Sequence, residues 1–118
     1  MTDPTAAPDR TQAAIDAIDE TVALFRSQHA ELMALVRDAP LSKKELKRFM
    51  RAADPGVVRD FERTAERVKA VIRADGPPGE QKGIARVLYE RAATTMVWLL
   101  KTQQEMIELL RRAPVTTD

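Results

Sequence analysis

The sequence predicts a small all-α protein: a four-helix bundle in which two long antiparallel helices, the first and the fourth, pack with two shorter helices between them. Apolar residues recur three or four positions apart in four segments, and residues typical of helix ends bound these segments. No segment alternates like a strand. With 118 residues, 44% of them hydrophobic and 31% charged, the chain suits one folded domain. We assign this domain to residues 9–113, with disordered tails at 1–8 and 114–118.

Composition argues against several classes of protein. The chain has no cysteine, which excludes disulfides, thiolate catalysis, cysteine-bound zinc and iron–sulfur clusters. Its longest apolar run, residues 96–100, is far shorter than the roughly 20 residues that span a bilayer. Residues 1–8 lack the features of a signal or transit peptide. We expect a cytoplasmic protein with no membrane span, no metal and no cofactor.

The first helix is predicted from about Asp9 to Asp38, before Pro40. Seven positions of this segment step by three and four in strict alternation, as in a coiled-coil seam. They are Ile15, Ile18, Val22, Phe25, His29, Leu32 and Val36.

His29 is the only histidine and the only polar residue of this seam. The nearby carboxylates do not share its helix face, so the pattern does not indicate a metal site. We interpret His29 as a neutral seam histidine hydrogen-bonded to a partner side chain. The alternatives are a pH-sensitive switch or specificity residue at a helix contact, and a catalytic or ligand-binding role.

The second helix is predicted over residues 42–53. Ser42 is the N-cap, Glu45 completes a capping box, and Leu41 is placed to pack on Leu46. The expected buried stripe is Leu46, Phe49, Met50 and Ala53.

The third helix is predicted to begin at Asp54 and Pro55, an N-cap followed by proline at the first helical position. It ends before the turn at residues 76–79, which contains two glycines and two prolines. Its expected buried stripe is Val58, Phe61, Ala65, Val68 and Ile72.

The fourth helix is predicted from about Glu80 to Ala113 and carries two adjacent seams. Their combined width exceeds the stripe of a helix that packs on one side only, so this helix must meet more than one neighbour. One seam contains Thr95 and Thr102, and such polar seam positions often specify an assembly. Trp98, at the border of the apolar arc, either covers the edge of the core or anchors a partner. The candidate interface for a homodimer, a higher oligomer or a protein partner comprises Met96, Trp98, Leu100, Gln103, Ile107 and Leu110.

Positive charge is concentrated in the middle of the chain. Residues 41–73 hold ten basic and five acidic side chains, whereas residues 1–40 hold three and seven. The basic residues form a solvated face or bind nucleic acid, an acidic protein or an anionic membrane surface. The candidate anion-binding residues are Lys43, Lys44, Lys47, Arg48, Arg51, Arg59 and Arg63.

Residues 15–19, with the sequence Ile-Asp-Ala-Ile-Asp, resemble the first-helix signature of the all-α chorismate mutases. The resemblance implies a compact helical dimer with mutase activity. In that family, active-site arginines lie three residues before the first isoleucine and fourteen after it. Gln12 and His29 occupy these positions here, so both arginines are missing.

These patterns lead to three functional hypotheses. The first is a non-enzymatic interaction or oligomerisation module that acts through helix contacts. The second is a nucleic-acid-binding packaging or regulatory protein that uses the basic second and third helices. The third is a small all-α enzyme similar to chorismate mutase.

Overall fold

A computed structural model of the chain describes residues 6–52 and 54–112. This part of the chain contains four α-helices and no strand, which confirms the predicted all-α bundle. The predicted tails lie outside the described residues, except that residues 6–8 belong to the first helix.

Helix α1 spans Ala6–Asp38 and begins three residues before the predicted start at Asp9. Its predicted seam is confirmed: Ile15, Phe25, Leu32 and Val36 are buried. The other three seam residues, Ile18, Val22 and His29, are half-buried.

Helix α2 spans Lys43–Ala52 and begins as its capping residues predict. The Glu45 amide donates to the Ser42 hydroxyl at 3.2 Å, and this hydroxyl donates to the Glu45 carboxylate at 3.0 Å. The predicted buried stripe is wrong in part. Phe49 packs against the core, but Leu46 and Met50 are exposed, because α2 contacts little besides the end of α1. Ala53 lies outside the described residues.

Helix α3 spans Pro55–Asp75, and the Asp54 carboxylate caps it by accepting from the Gly56 amide at 2.9 Å. All five residues of its predicted stripe face the core, with Val58 half-buried and the others buried. Gly76 ends the helix with a φ of 87°, in the left-handed region that favours glycine. Gln81, which is buried, closes the turn by donating to the Gly76 carbonyl at 2.9 Å.

Helix α4 spans Ile84–Arg112, so it starts four residues after the predicted Glu80. The turn takes up residues 76–83, and Gly83, with a φ of 62°, precedes the helix.

The predicted antiparallel orientation of the first and fourth helices is wrong, because α1 and α4 run parallel. Arg10 of α1 pairs with Glu80 just before α4 at 2.9 Å, and at the other end Glu31 of α1 pairs with Arg111. Helix α3 runs opposite to both. Its Lys69 pairs with Asp19 at 2.8 Å, near the N-terminal end of α1.

The length of α2 explains this orientation. Helix α2 has ten residues, about 15 Å at the rise of an α-helix, whereas α1 has 33 residues and is about 50 Å long. Helix α2 therefore cannot carry the chain back along α1. Helix α3 begins near the end of α1 and makes the return, which leaves α4 to run in the direction of α1.

The core has two parts along the rod. In the first, α1, α3 and α4 enclose the buried residues around Phe25 and Phe61, whose rings stack in parallel with centroids 4.1 Å apart. In the second, the last turns of α1 and α4 pack together through Leu32, Val36 and Ile107, with Phe49 of α2 beside them. The molecule measures 70 × 30 × 18 Å.

Phe61→Ala tests the first part of the core. Because Phe61 is fully buried and stacked, the substitution should lower the free energy of unfolding by about 3–5 kcal/mol in urea denaturation. Val97→Ala, at an exposed position of α4, is the control and should change it by less than about 0.5 kcal/mol. Equal effects of the two substitutions would contradict the packing described.

Lys69 joins α1 to α3, since its ammonium contacts Asp19 and also Glu66 at 2.9 Å. These two hydrogen bonds raise the pKa of Lys69 above its ordinary value. A raised lysine pKa stabilises the fold below the unfolded-state pKa, and this contribution is lost as the pH rises through the folded-state pKa.

Lys69→Met should therefore lower the free energy of unfolding by about 0.5–1 kcal/mol at neutral pH, a small effect because both carboxylates are exposed. The variant and the wild type should converge in strongly alkaline solution. Lys82→Met, in the exposed turn, is the control. A difference that persists at alkaline pH would show that the ammonium charge is not the cause.

Candidate functional site

The exposed face of α4 is the most unusual surface of the described chain. Five large apolar side chains lie there, and between 47% and 74% of each is exposed. We call them the α4 stripe: Ile84, Val87, Leu88, Trp98 and Leu109.

The α4 stripe occupies one side of the helix and runs almost its whole length. At about 100° per residue, the five side chains fall within an arc of about 100°, centred well away from the buried face. Arg91, Thr95, Thr102 and Glu105 lie on the same arc and interrupt the apolar residues. Val97 is as exposed as Trp98, at 63% against 62%, but it lies outside the arc.

A groove between α3 and α4 adjoins the α4 stripe. Its volume is about 510 Å³, and Leu88 belongs both to the stripe and to the groove wall. Its lining includes the small side chains of Ala70 and Ala92, so another helix can approach closely. We call this the α3–α4 groove: Thr64, Arg67, Ala70, Val71, Leu88, Arg91, Ala92 and Thr95.

The structure corrects most of the predicted partner interface. Met96, Gln103, Ile107 and Leu110 are buried in the core of the chain. Leu100 is half-buried against the same core, and of the six predicted residues only Trp98 is exposed. The reason is that α4 carries two apolar arcs, and the sequence does not determine which arc packs within the chain. The exposure of Leu88 and Leu109 identifies the other arc as the free one.

Gln103 is a polar residue inside the core. Only 2% of it is exposed, and neither its amide nitrogen nor its amide oxygen has a hydrogen-bond partner among the described residues. It lies beside a pocket of about 220 Å³ whose other walls include Phe25, Val57 and Trp98. An unpaired buried amide reduces stability because its lost hydration is not replaced.

Gln103→Met should therefore raise the free energy of unfolding, by about 1–3 kcal/mol. Urea denaturation checks this, with the neighbouring exposed Gln104→Met as a matched control that should change little. A loss of stability in Gln103→Met would show that the amide makes stabilising hydrogen bonds in solution.

The predicted anion-binding residues are all exposed. Lys43, Lys44, Lys47, Arg48 and Arg51 lie on α2, and Arg59 and Arg63 lie on the first turns of α3. None of the seven forms an ion pair with another residue in the described part of the chain.

The basic residues of α2 surround exposed apolar side chains. Leu46 and Met50 form one wall of a shallow depression of about 550 Å³, and Lys43, Lys47 and Arg51 border it. This end of the molecule therefore presents apolar surface and positive charge together.

His29 is half-buried and interacts with a neighbouring group. Its role as a seam-specificity residue or pH switch stays a prediction.

The residues that resemble the chorismate mutase signature have structural roles. Ile15 is buried and Ile18 packs against the same core, while the Asp19 carboxylate pairs with Lys69. Gln12, at one of the missing arginine positions, donates to the Asp16 carboxylate at 2.8 Å. Helix packing and surface pairing therefore explain this pattern.

No group of three or more potential metal-ligating side chains occurs within residues 6–52 and 54–112. Among the described helices, none combines the length and the hydrophobicity that a bilayer span requires. The chain matches no known protein family, no curated protein and no solved structure.

Proposed function

We propose that this protein is a non-enzymatic assembly module that associates through its own helices, with the α4 stripe as the contact surface. The observation that carries the proposal is the exposure of five large apolar residues along one arc of α4. An exposed apolar stripe on a folded protein is a candidate interaction site, because its burial against a partner is favourable.

The α4 stripe also has the composition expected of an interface. Trp98 is the residue type most often found as an energetic anchor of protein contacts. The polar residues on the same arc, such as Thr95 and Thr102, limit which helices can pair with it, as polar positions do in coiled coils.

Sedimentation equilibrium tests the proposal. The wild type should have a defined mass that is a multiple of 13.2 kDa, and Leu88→Lys with Trp98→Lys should reduce it to that of one chain. Helix content should not change, because both side chains are exposed. Val97→Lys is the control, since it adds a positive charge at an equally exposed position outside the stripe, and it should leave the mass unchanged.

A wild type that stays monomeric at high micromolar concentration would contradict the proposal. An oligomer that Val97→Lys dissociates as readily as the stripe variants would also contradict it.

A second candidate function is nucleic-acid binding by α2 and the start of α3. The observation that favours it is the exposure of seven basic residues without ion-pair partners in the described chain. Such residues bind phosphates and release counterions, so affinity falls steeply as salt rises.

Fluorescence anisotropy with a labelled DNA duplex checks this candidate. Lys47→Glu with Arg48→Glu should weaken binding and reduce the slope of log affinity against log salt by about two. The control is Lys82→Glu with Lys101→Glu, which makes the same charge change elsewhere. Binding that responds neither to salt nor to the α2 variant would dismiss the candidate.

A further inference from the structure

We propose that the partner of the α4 stripe is the α4 stripe of a second copy of this chain, and that the two helices pack antiparallel. Glu105 of each copy then lies opposite the partner's Leu88, one turn of helix from the partner's Arg91. This inference rests on the proposed function and adds to it the partner, the direction and the register.

The spacing of the exposed arc sets the register. Its positions step by four and three along α4, as in a heptad seam. They are Ile84, Leu88, Arg91, Thr95, Trp98, Thr102, Glu105 and Leu109.

An antiparallel pair of α4 helices has a two-fold axis. When this axis passes between residues 96 and 97, it maps the eight positions of the arc onto one another. Ile84 then faces the partner's Leu109, so the apolar ends of the stripe cover each other. Thr95 faces the partner's Trp98, which places the largest side chain of the stripe opposite a small one. Two apolar contacts at the ends and two tryptophans near the axis result from one symmetric arrangement.

The charges favour the same arrangement. The α3–α4 groove, which flanks the first half of α4, is lined by Arg67 and Arg91 and by no acidic residue. The second half of the arc carries Glu105, which has no ion-pair partner among the described residues, and neither do the two arginines. In the antiparallel register the first half of α4 lies along the partner's second half, so the partner's Glu105 faces Leu88 and is about 4.5 Å along the axis from Arg91.

A parallel pairing would oppose like charges. Each copy of Arg91 would then face the partner's Arg91, and each Glu105 would face the partner's Glu105, which weakens association. The antiparallel pairing instead forms two symmetry-related sets of opposite charges. Charge complementarity therefore selects the direction.

The groove also enlarges the contact. A stable dimer buries about 800 Å² on each partner. Helix α4 has 29 residues and is about 43 Å long, but one helix alone offers only a narrow contact surface. Because the α3–α4 groove adjoins the stripe, the partner helix contacts α3 as well as α4. Arg67 and Val71 of α3 then belong to the interface.

Charge reversal tests the pairing directly. Arg91→Glu and Glu105→Arg should each raise the dimer Kd at least tenfold, because each brings like charges together. The double variant should recover an affinity near that of the wild type. Arg86 and Glu90 provide matched controls, since they form an ion pair on α4 outside the arc. Arg86→Glu and Glu90→Arg should leave the Kd unchanged.

Distance measurements test the direction. The chain has no cysteine, so Thr94→Cys or Glu108→Cys gives one spin label per copy beside the stripe. The antiparallel register separates the two copies of residue 108 by about 35 Å along the axis and the two copies of residue 94 by about 8 Å. A parallel pair would hold both label pairs at about 10 Å, the spacing of packed helices.

The results show whether the antiparallel register fails alone or together with the proposed function. A stripe-dependent oligomer with a short 108–108 distance, or without rescue in the double variant, would overturn the antiparallel register and leave the proposed function standing. A monomeric wild type would overturn both. Rescue together with a long 108–108 distance is the expected result.

Discussion

Helix α2 has ten residues, and the helix before it has 33. A segment of about 15 Å cannot bring the chain back along a helix of about 50 Å, so the return falls to α3. This constraint fixes the direction of every later element. Helix α3 descends along α1, the turn at Gly76 reverses the chain, and α4 ascends parallel to α1. The result is a three-helix bundle with α2 at one end, and in this bundle α4 keeps one side free.

The free side of α4 would not arise in a symmetric four-helix bundle. There a full-length second helix would cover part of α4, and both apolar arcs of α4 would find neighbours within the chain. Here the inner arc packs on Phe25 and Phe61 and leaves the outer arc with no helix of the described chain over it. The surface that we propose for assembly is therefore a consequence of topology as much as of the α4 sequence.

Local features of the fold could be predicted from the sequence because each depends on a few neighbouring residues. Capping by Ser42 and Asp54, the turn at Gly76 and the stripe of α3 are of this kind. The direction of α4 could not be read from periodicity, because a heptad pattern is the same for parallel and antiparallel packing. Helix lengths carry that information.

The candidate site was harder to predict for a related reason. Both arcs of α4 are apolar, and the inner one includes Gln103. As a polar residue in an apolar seam, Gln103 was predicted from the sequence to lie at the partner interface. Which arc is buried depends on where α1 and α3 lie, and this is a tertiary property. Trp98, which the sequence places at the border of the apolar arc, is the one residue of the predicted interface that is exposed.

The placement of α2 has a further consequence for local stability. Three helices pack together in the middle of the rod, whereas α2 packs on the core mainly through Phe49, and its Leu46 and Met50 are 40% and 45% exposed. Segments with few buried contacts open at a lower free energy than the body of the fold. For α2 we therefore expect local opening that leaves the three-helix body and the α4 stripe intact.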